Sequence, residues 1–129
     1  MVHLLLALAL FMHGIGHALF VANAWGYWRT DAGHGWLFTQ ILHAGQATEG
    51  VIGLLWLVPL AGFVGGAWGF YSQTPGWQPL LLVAAAISAL LILLWWGSIN
   101  SASALLALAF NLAVIAVILW QGGRMAIPN

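Results

Sequence analysis

Five polar residues stand out in an otherwise strongly apolar chain, and they are the candidates for chemistry: His13, His17, His43, Gln46 and Glu49. Imidazole and carboxylate groups ligate metals, and they also accept and release protons. An ionisable group inside a lipid bilayer is costly unless it is paired, ligated or neutral, so such groups usually mark function. We therefore expect any functional site to be built around these five residues.

The composition indicates a membrane protein of the all-α class. Of 129 residues, 64% are hydrophobic and 3% are charged. A soluble domain has about a quarter of its residues charged, which excludes this chain from that class. Runs of about 20 apolar residues are long enough to cross the hydrocarbon core as helices.

Four membrane spans are predicted, at about residues 2–25, 37–70, 79–97 and 104–121. The connectors are short, so neighbouring spans should be antiparallel, and we expect a single transmembrane domain in the form of an up-down four-helix bundle. The second segment is longer than one straight span requires. This indicates a tilt, an interfacial first turn or a kink at Pro59.

Two Gly-x3-Gly patterns in the second segment predict close helix packing. They are Gly62-x3-Gly66 and Gly65-x3-Gly69. Small residues one turn apart let the backbone of a neighbouring helix approach closely. We expect these glycines to lie at contacts within the bundle or with a partner.

The residues that the sequence lacks exclude several cofactors. There is no lysine, because both basic residues are arginine, and this excludes a retinal Schiff base. There is no cysteine, which excludes iron–sulfur clusters and covalently attached haem. Two arginines cannot hold a nucleic-acid backbone, so no nucleic-acid partner is expected.

The spacing of the polar residues predicts a composite centre between the first two spans. If these spans are antiparallel and symmetric about their connector, His13 shares a depth with Glu49. His17 then lies between the levels of His43 and Gln46. His13 and His17 are about 40° apart on one helix face, so both can point at the second span.

Four interpretations of this centre stay open. The first is a satisfied polar network that fixes helix register, in which Gln46 takes part and Asn111 of the fourth span makes an interhelical hydrogen bond. The second is a site for a quinone, a small solute or a transferred proton, with histidine and glutamate as donors and acceptors. The other two involve bound cofactors.

A bound metal is the third possibility, and a bound tetrapyrrole is the fourth. His13, His17, His43 and Glu49 resemble the donor set of zinc or non-haem iron. His17 and His43 are the level-matched pair for axial ligation of haem. A single histidine can also hold a bacteriochlorophyll, and Ala9-x3-His13 has the Ala-x3-His spacing found around such ligands.

The segment His13-Gly14-Ile15-Gly16-His17, together with the four-span outline, resembles small bacterial integral membrane proteins of the DoxX-like kind. The resemblance covers the whole chain in topology and these five residues in motif. It implies a multi-pass protein of the bacterial inner (cytoplasmic) membrane.

These observations favour a non-catalytic accessory subunit of a larger energy-transducing complex, photosynthetic or respiratory. The chain has little mass outside its predicted spans, no recognisable catalytic set and many tryptophans near span ends, where their rings anchor helices at the interface. Its expected partners are lipid and other membrane subunits or further copies of itself. The alternatives are a small protein that binds metal, haem or bacteriochlorophyll, and a carrier of quinone, solute or protons.

Overall fold

The computed structural model is all-helical over the residues it describes, which are 1–27, 36–43, 46–97 and 101–125. This confirms the predicted all-α class. Within these ranges, four helical segments are long and apolar enough to cross a membrane: Val2–Ala24, Thr48–Ser72, Trp77–Leu94 and Ser101–Gly122. The α-helices are α1 (Val2–Ala24), α2 (Gln46–Gly53), α3 (Leu57–Ser72), α4 (Trp77–Leu94) and α5 (Ser101–Met125).

The second apolar segment is divided rather than continuous. A π-helical turn, Leu37–Ile41, comes first and is separate from α2. A 3-10 turn, Leu54–Trp56, then joins α2 to α3. Pro59 follows this turn. Inside a regular α-helix, a proline ring would clash with the carbonyl of the residue four positions earlier, and proline has no backbone N–H to donate. The helix therefore changes its winding before the proline, as mid-helix prolines commonly cause.

The long helices pack in sequence order. α1 packs against α3, α3 against α4 and α4 against α5, whereas α1 and α5 make little backbone contact with each other. Gly14 faces Phe63, and Gly62 faces Ala84. Residue numbers fall along one helix as they rise along its neighbour, so α1 and α3, and α3 and α4, are antiparallel.

The glycines of α3 bring its backbone close to α4. A Cβ built on Gly62 would lie 2.6 Å from the Cβ of Ala84, and one on Gly66 would overlap the Leu81 side chain. Gly69 lies against Trp77 in the same way. These positions agree with the predicted packing of Gly62-x3-Gly66. The pattern that starts at Gly65 is different, because Gly65 itself is exposed.

Two apolar clusters form the core, and polar residues lie between them. One cluster contains the buried residues Leu10, Phe63, Ala67, Leu81, Ala84, Ala85 and Ile118. The other contains Trp56, Leu91, Ile92, Trp95 and Ala104. On α4, Ser88 lies between the residues of the two clusters. On α5, Asn111 lies in the same way between Ala104 of one cluster and Ile118 of the other. The apolar clusters therefore enclose a polar layer.

Candidate functional site

The polar layer is a ring of hydrogen bonds that joins α1, α4 and α5. Nε2 of His13 lies 2.9 Å from Oδ1 of Asn111, and Nδ2 of Asn111 lies 2.8 Å from Oγ of Ser88. Oγ of Ser88 is 2.7 Å from Nε2 of His17. Nδ1 of His17 is 2.9 Å from the backbone carbonyl of His13, which closes the ring. We call these four residues the polar ring.

The carbonyl of His13 fixes the direction of every bond in the polar ring. A carbonyl only accepts, so Nδ1 of His17 donates to it. In a neutral His17, Nε2 is then an acceptor, and the hydroxyl of Ser88 donates to it. The amide of Asn111 donates to Ser88 Oγ, and Asn111 Oδ1 accepts from the Nε2–H of His13. One arrangement of protons thus satisfies all four bonds.

Apolar and aromatic side chains enclose the polar ring. Ser88 and Asn111 are 0% exposed and His17 is 3% exposed. The His13 ring stacks on Phe110 with 4.4 Å between ring centroids and meets Phe63 edge-on at 4.7 Å. In such an environment an unpaired polar group is expensive, so mutual pairing is what allows these residues to be buried.

The depth match predicted between the first two spans is wrong. A Cβ on Gly14 would lie 2.8 Å from Cβ of Phe63, which places His13 at the level of Phe63 rather than Glu49. Gly50, next to Glu49, lies against Trp25 at the far end of α1, where the Trp25 indole donates to its carbonyl at 3.0 Å. The two spans are not symmetric about their connector, because α2 starts only at residue 46.

The remaining candidate residues lie apart from the polar ring. His43 is exposed and has φ of +47°, a left-handed conformation after the π-helical turn. Glu49 is buried, with 4% of its surface exposed. The backbone of Gln46 starts α2, and its side chain is outside the described part of the chain. Within the described ranges, no three His, Asp or Glu side chains are grouped so that they could hold a metal ion.

The polar ring also limits ligation by His17. Both of its ring nitrogens make hydrogen bonds, to His13 O and to Ser88 Oγ. A metal or haem iron at Nε2 of His17 would have to displace Ser88. The predicted axial pair of His17 and His43 would in addition require the exposed His43 to move into the bundle.

No family model matches this chain, and no curated protein or solved structure is significantly similar to it. The resemblance to DoxX-like proteins therefore stays a prediction that depends on the segment from His13 to His17.

Sequence reasoning missed Ser88, which is the central member of the polar ring. Ser88 lies in the small-residue stretch of α4 with Ala84, Ala85, Ala86 and Ala89. Such a stretch is typical of helix packing, and a small hydroxyl among alanines gives no further signal. One signal in the sequence could have identified Ser88: a serine buried in an apolar span needs a hydrogen-bond partner.

The tautomers of the two histidines provide a direct test of the polar ring. We expect His17 to carry its proton on Nδ1 and His13 to carry its proton on Nε2, because the ring has this one direction. Nitrogen-15 NMR of imidazole-labelled protein in lipid distinguishes the two tautomers by the shifts of the protonated and bare nitrogens. Finding His17 protonated on Nε2 alone would contradict the assignment, and His3 in the same sample serves as an internal reference.

Proposed function

We propose that this chain is a multi-pass membrane protein with four spans in an up-down bundle, and that it is a non-catalytic accessory subunit of a larger energy-transducing complex in a bacterial cytoplasmic membrane. The observation that carries the proposal is the closed polar ring. A catalytic group needs a donor, acceptor or nucleophile within reach of a substrate. Ser88 and Asn111 are fully buried and hydrogen-bonded to other members of the ring, which favours a role in fixing helix register.

The outer surface of α5 supports association with other membrane chains. α5 packs mainly against α4, and little of its span is buried. Several of its exposed side chains are large and apolar: Leu105, Leu106, Leu112, Leu119 and Trp120. A helix covered by neighbours on one side offers the rest of its surface to lipid or to another transmembrane helix. Packing of apolar side chains, without polar groups, can hold such helices together.

A cofactor-binding protein is the second candidate, and one observation favours it. Nδ1 of His13 makes no hydrogen bond to the described residues, while Nε2 donates to Asn111. With the proton on Nε2, Nδ1 carries a lone pair that can ligate a metal. This candidate predicts one protein histidine on the bound metal, with other ligands supplied by the cofactor or by a second chain.

Purification of the chain from its native membrane in a mild detergent distinguishes the two candidates. We expect the tagged protein to migrate on a native gel with a larger complex, with other subunits in fixed ratio and no visible absorption of its own. Purification as a separate species in several detergents, with every respiratory or photosynthetic complex intact after its gene is deleted, would refute the subunit role. A Soret band or one iron per chain, lost in His13→Ala and kept in His43→Ala, would establish the cofactor candidate instead.

A further inference from the structure

A cavity of about 270 Å³ lies where the backbones of α1 and α5 make little contact with each other. All four long helices contribute to its walls, through Leu10 of α1, Phe70 of α3, Leu81 of α4 and Val117 of α5. Among the described residues that line it, Gln121 is the one with a polar amide side chain. The cavity is separate from the polar ring, and the proposed subunit role makes no use of it.

The inner end of the cavity lies next to the polar ring. Phe110 lines the cavity and stacks on His13, and Asn111 next to it bonds to His13 across the gap between α1 and α5. From Phe110 to Gln121 the wall of α5 extends for about 16 Å, at about 1.5 Å per residue. The interior thus has the shape of an elongated apolar channel.

The outer end carries aromatic rings and polar side chains. Phe70 and Trp77 both line the cavity, and their rings meet edge-on at 5.0 Å. The ring centroids of His3 and Phe70 are 4.2 Å apart, and Nε2 of His3 is 2.8 Å from the amide nitrogen of Gln73. The amide of Gln78 donates to Oε1 of Gln121 at 3.2 Å.

Gln121 retains hydrogen-bonding capacity in this arrangement. Its Oε1 accepts from Gln78, while its own amide hydrogens have no partner among the described residues. At the mouth of an apolar channel, amide N–H groups without a partner among the described residues can donate to a carbonyl oxygen. Pockets of this kind, apolar with a few placed polar groups, are typical of small-molecule sites.

We propose that this cavity binds an uncharged amphiphile with a flat, carbonyl-bearing ring and one long apolar tail, the chemistry of a prenylquinone. The ring lies at the aromatic mouth by Phe70 and Trp77, where flat rings stack favourably. A ring carbonyl accepts from the amide of Gln121, and the tail occupies the channel toward Phe110. A phospholipid fits this mouth less well, because a phosphate needs a cation and none of the described residues that line the cavity is charged.

Quinone binding by the purified protein tests the proposal independently of any complex. Reconstituted in phosphatidylcholine nanodiscs, the protein is titrated with decylubiquinone, and quenching of tryptophan fluorescence reports binding. Ala113 lines the cavity, and Ala109, one turn earlier on α5, does not line it; both alanines are exposed. We expect Ala113→Phe to fill the channel and raise the Kd at least about tenfold. Ala109→Phe should leave it unchanged.

One further variant examines the head group. Gln121→Leu should weaken decylubiquinone binding and leave decylbenzene binding unchanged, because decylbenzene has a ring and a tail but no oxygen that could accept from this amide. If Ala113→Phe impairs folding, Ala9→Phe fills the opposite wall from α1, with the exposed Ala18→Phe as its control.

Two results would overturn the proposal. Equal Kd values for Ala113→Phe and Ala109→Phe would mean that quinone binds elsewhere. Displacement of quinone by a spin-labelled anionic phospholipid, with lipid affinity reduced in Arg124→Gln and unchanged in Gln121→Leu, would assign the cavity to a phospholipid instead. Arg124 is three residues after Gln121 in the sequence, so a phospholipid is the ligand that competes most directly with quinone.

Discussion

Asn111→Leu is expected to lower the free energy of unfolding by about 1–3 kcal/mol, because an unsatisfied buried donor or acceptor costs that much. The substitution removes the acceptor of the His13 Nε2–H and the donor to Ser88 Oγ in one step. A single interhelical hydrogen bond in a membrane contributes about 0.6 kcal/mol on average. The larger expected effect at Asn111 follows from the loss of two bonds that link α5 to two different helices.

Unfolding in sodium dodecyl sulfate, followed by far-UV circular dichroism, measures this effect. Leu112→Ala is the matched control, since Leu112 is the next residue on α5 and is 55% exposed. We expect the control to shift the midpoint far less than Asn111→Leu. Equal midpoints for Asn111→Leu and the unsubstituted chain would show that the polar ring does not hold α5 in place.

Ser88→Ala completes a double-mutant cycle with Asn111→Leu. Ser88→Ala leaves Nε2 of His17 without its donor, and Asn111 loses an acceptor. Residues that share a hydrogen-bond network show coupling energies of about 0.5–3 kcal/mol. The double variant should therefore be less destabilised than the two single effects added together. Strict additivity would indicate two independent contacts rather than one ring.

The sequence was sufficient to predict four long apolar helices and one face of the site, although the second of these helices begins at Thr48 rather than at residue 37. Hydrophobic runs of helical length predicted the all-α class and the four long apolar helices. The four-residue spacing of His13 and His17 placed both on one face of α1, and both are members of the polar ring. These features depend on local periodicity, because residues four apart share a face of an α-helix whatever that helix packs against.

The hydrogen-bond partners of these histidines depend on how the helices are aligned along one another. The periodicity of a single helix does not determine that alignment. The register of α1 on α3 is set by close packing of Gly14 against Phe63, and not by symmetry about the connector. Asn111 reaches His13 only because α5 packs on α4 at the level of Ser88. Both facts depend on helix contacts made mostly by apolar side chains, which do not show in the sequence which helices face each other.

Gly62→Ala is expected to lower the free energy of unfolding by about 1–3 kcal/mol, the usual cost of overpacking a well-packed core. The added Cβ would lie 2.6 Å from Cβ and 3.6 Å from Cα of Ala84. Neither atom belongs to a flexible side chain, so α3 and α4 would have to move apart. This contact lies within the apolar cluster beside the polar ring, so the shift should also weaken the bond between Ser88 and His17.

Gly65→Ala is the matched control, because Gly65 lies on the same helix, in the overlapping Gly-x3-Gly pattern. Its added Cβ would meet only the end of the Leu80 side chain, at 3.4 Å. Alanine has a higher helix propensity than glycine by up to about 1 kcal/mol, so this variant should be neutral or slightly stabilised. Similar destabilisation of the two variants would mean that glycine matters for α3 generally, and not for its contact with α4.

The exchange Gly62→Ala with Ala84→Gly isolates the contact itself. It moves one methyl group from α4 to α3 and removes the clash between the two Cβ atoms, at the cost of a glycine inside α4. We expect the double variant to be more stable than Gly62→Ala alone, despite the helix propensity lost at residue 84. A double variant less stable than Gly62→Ala would place the damage within α3, and the close approach of the two helices would then not determine the stability of the bundle.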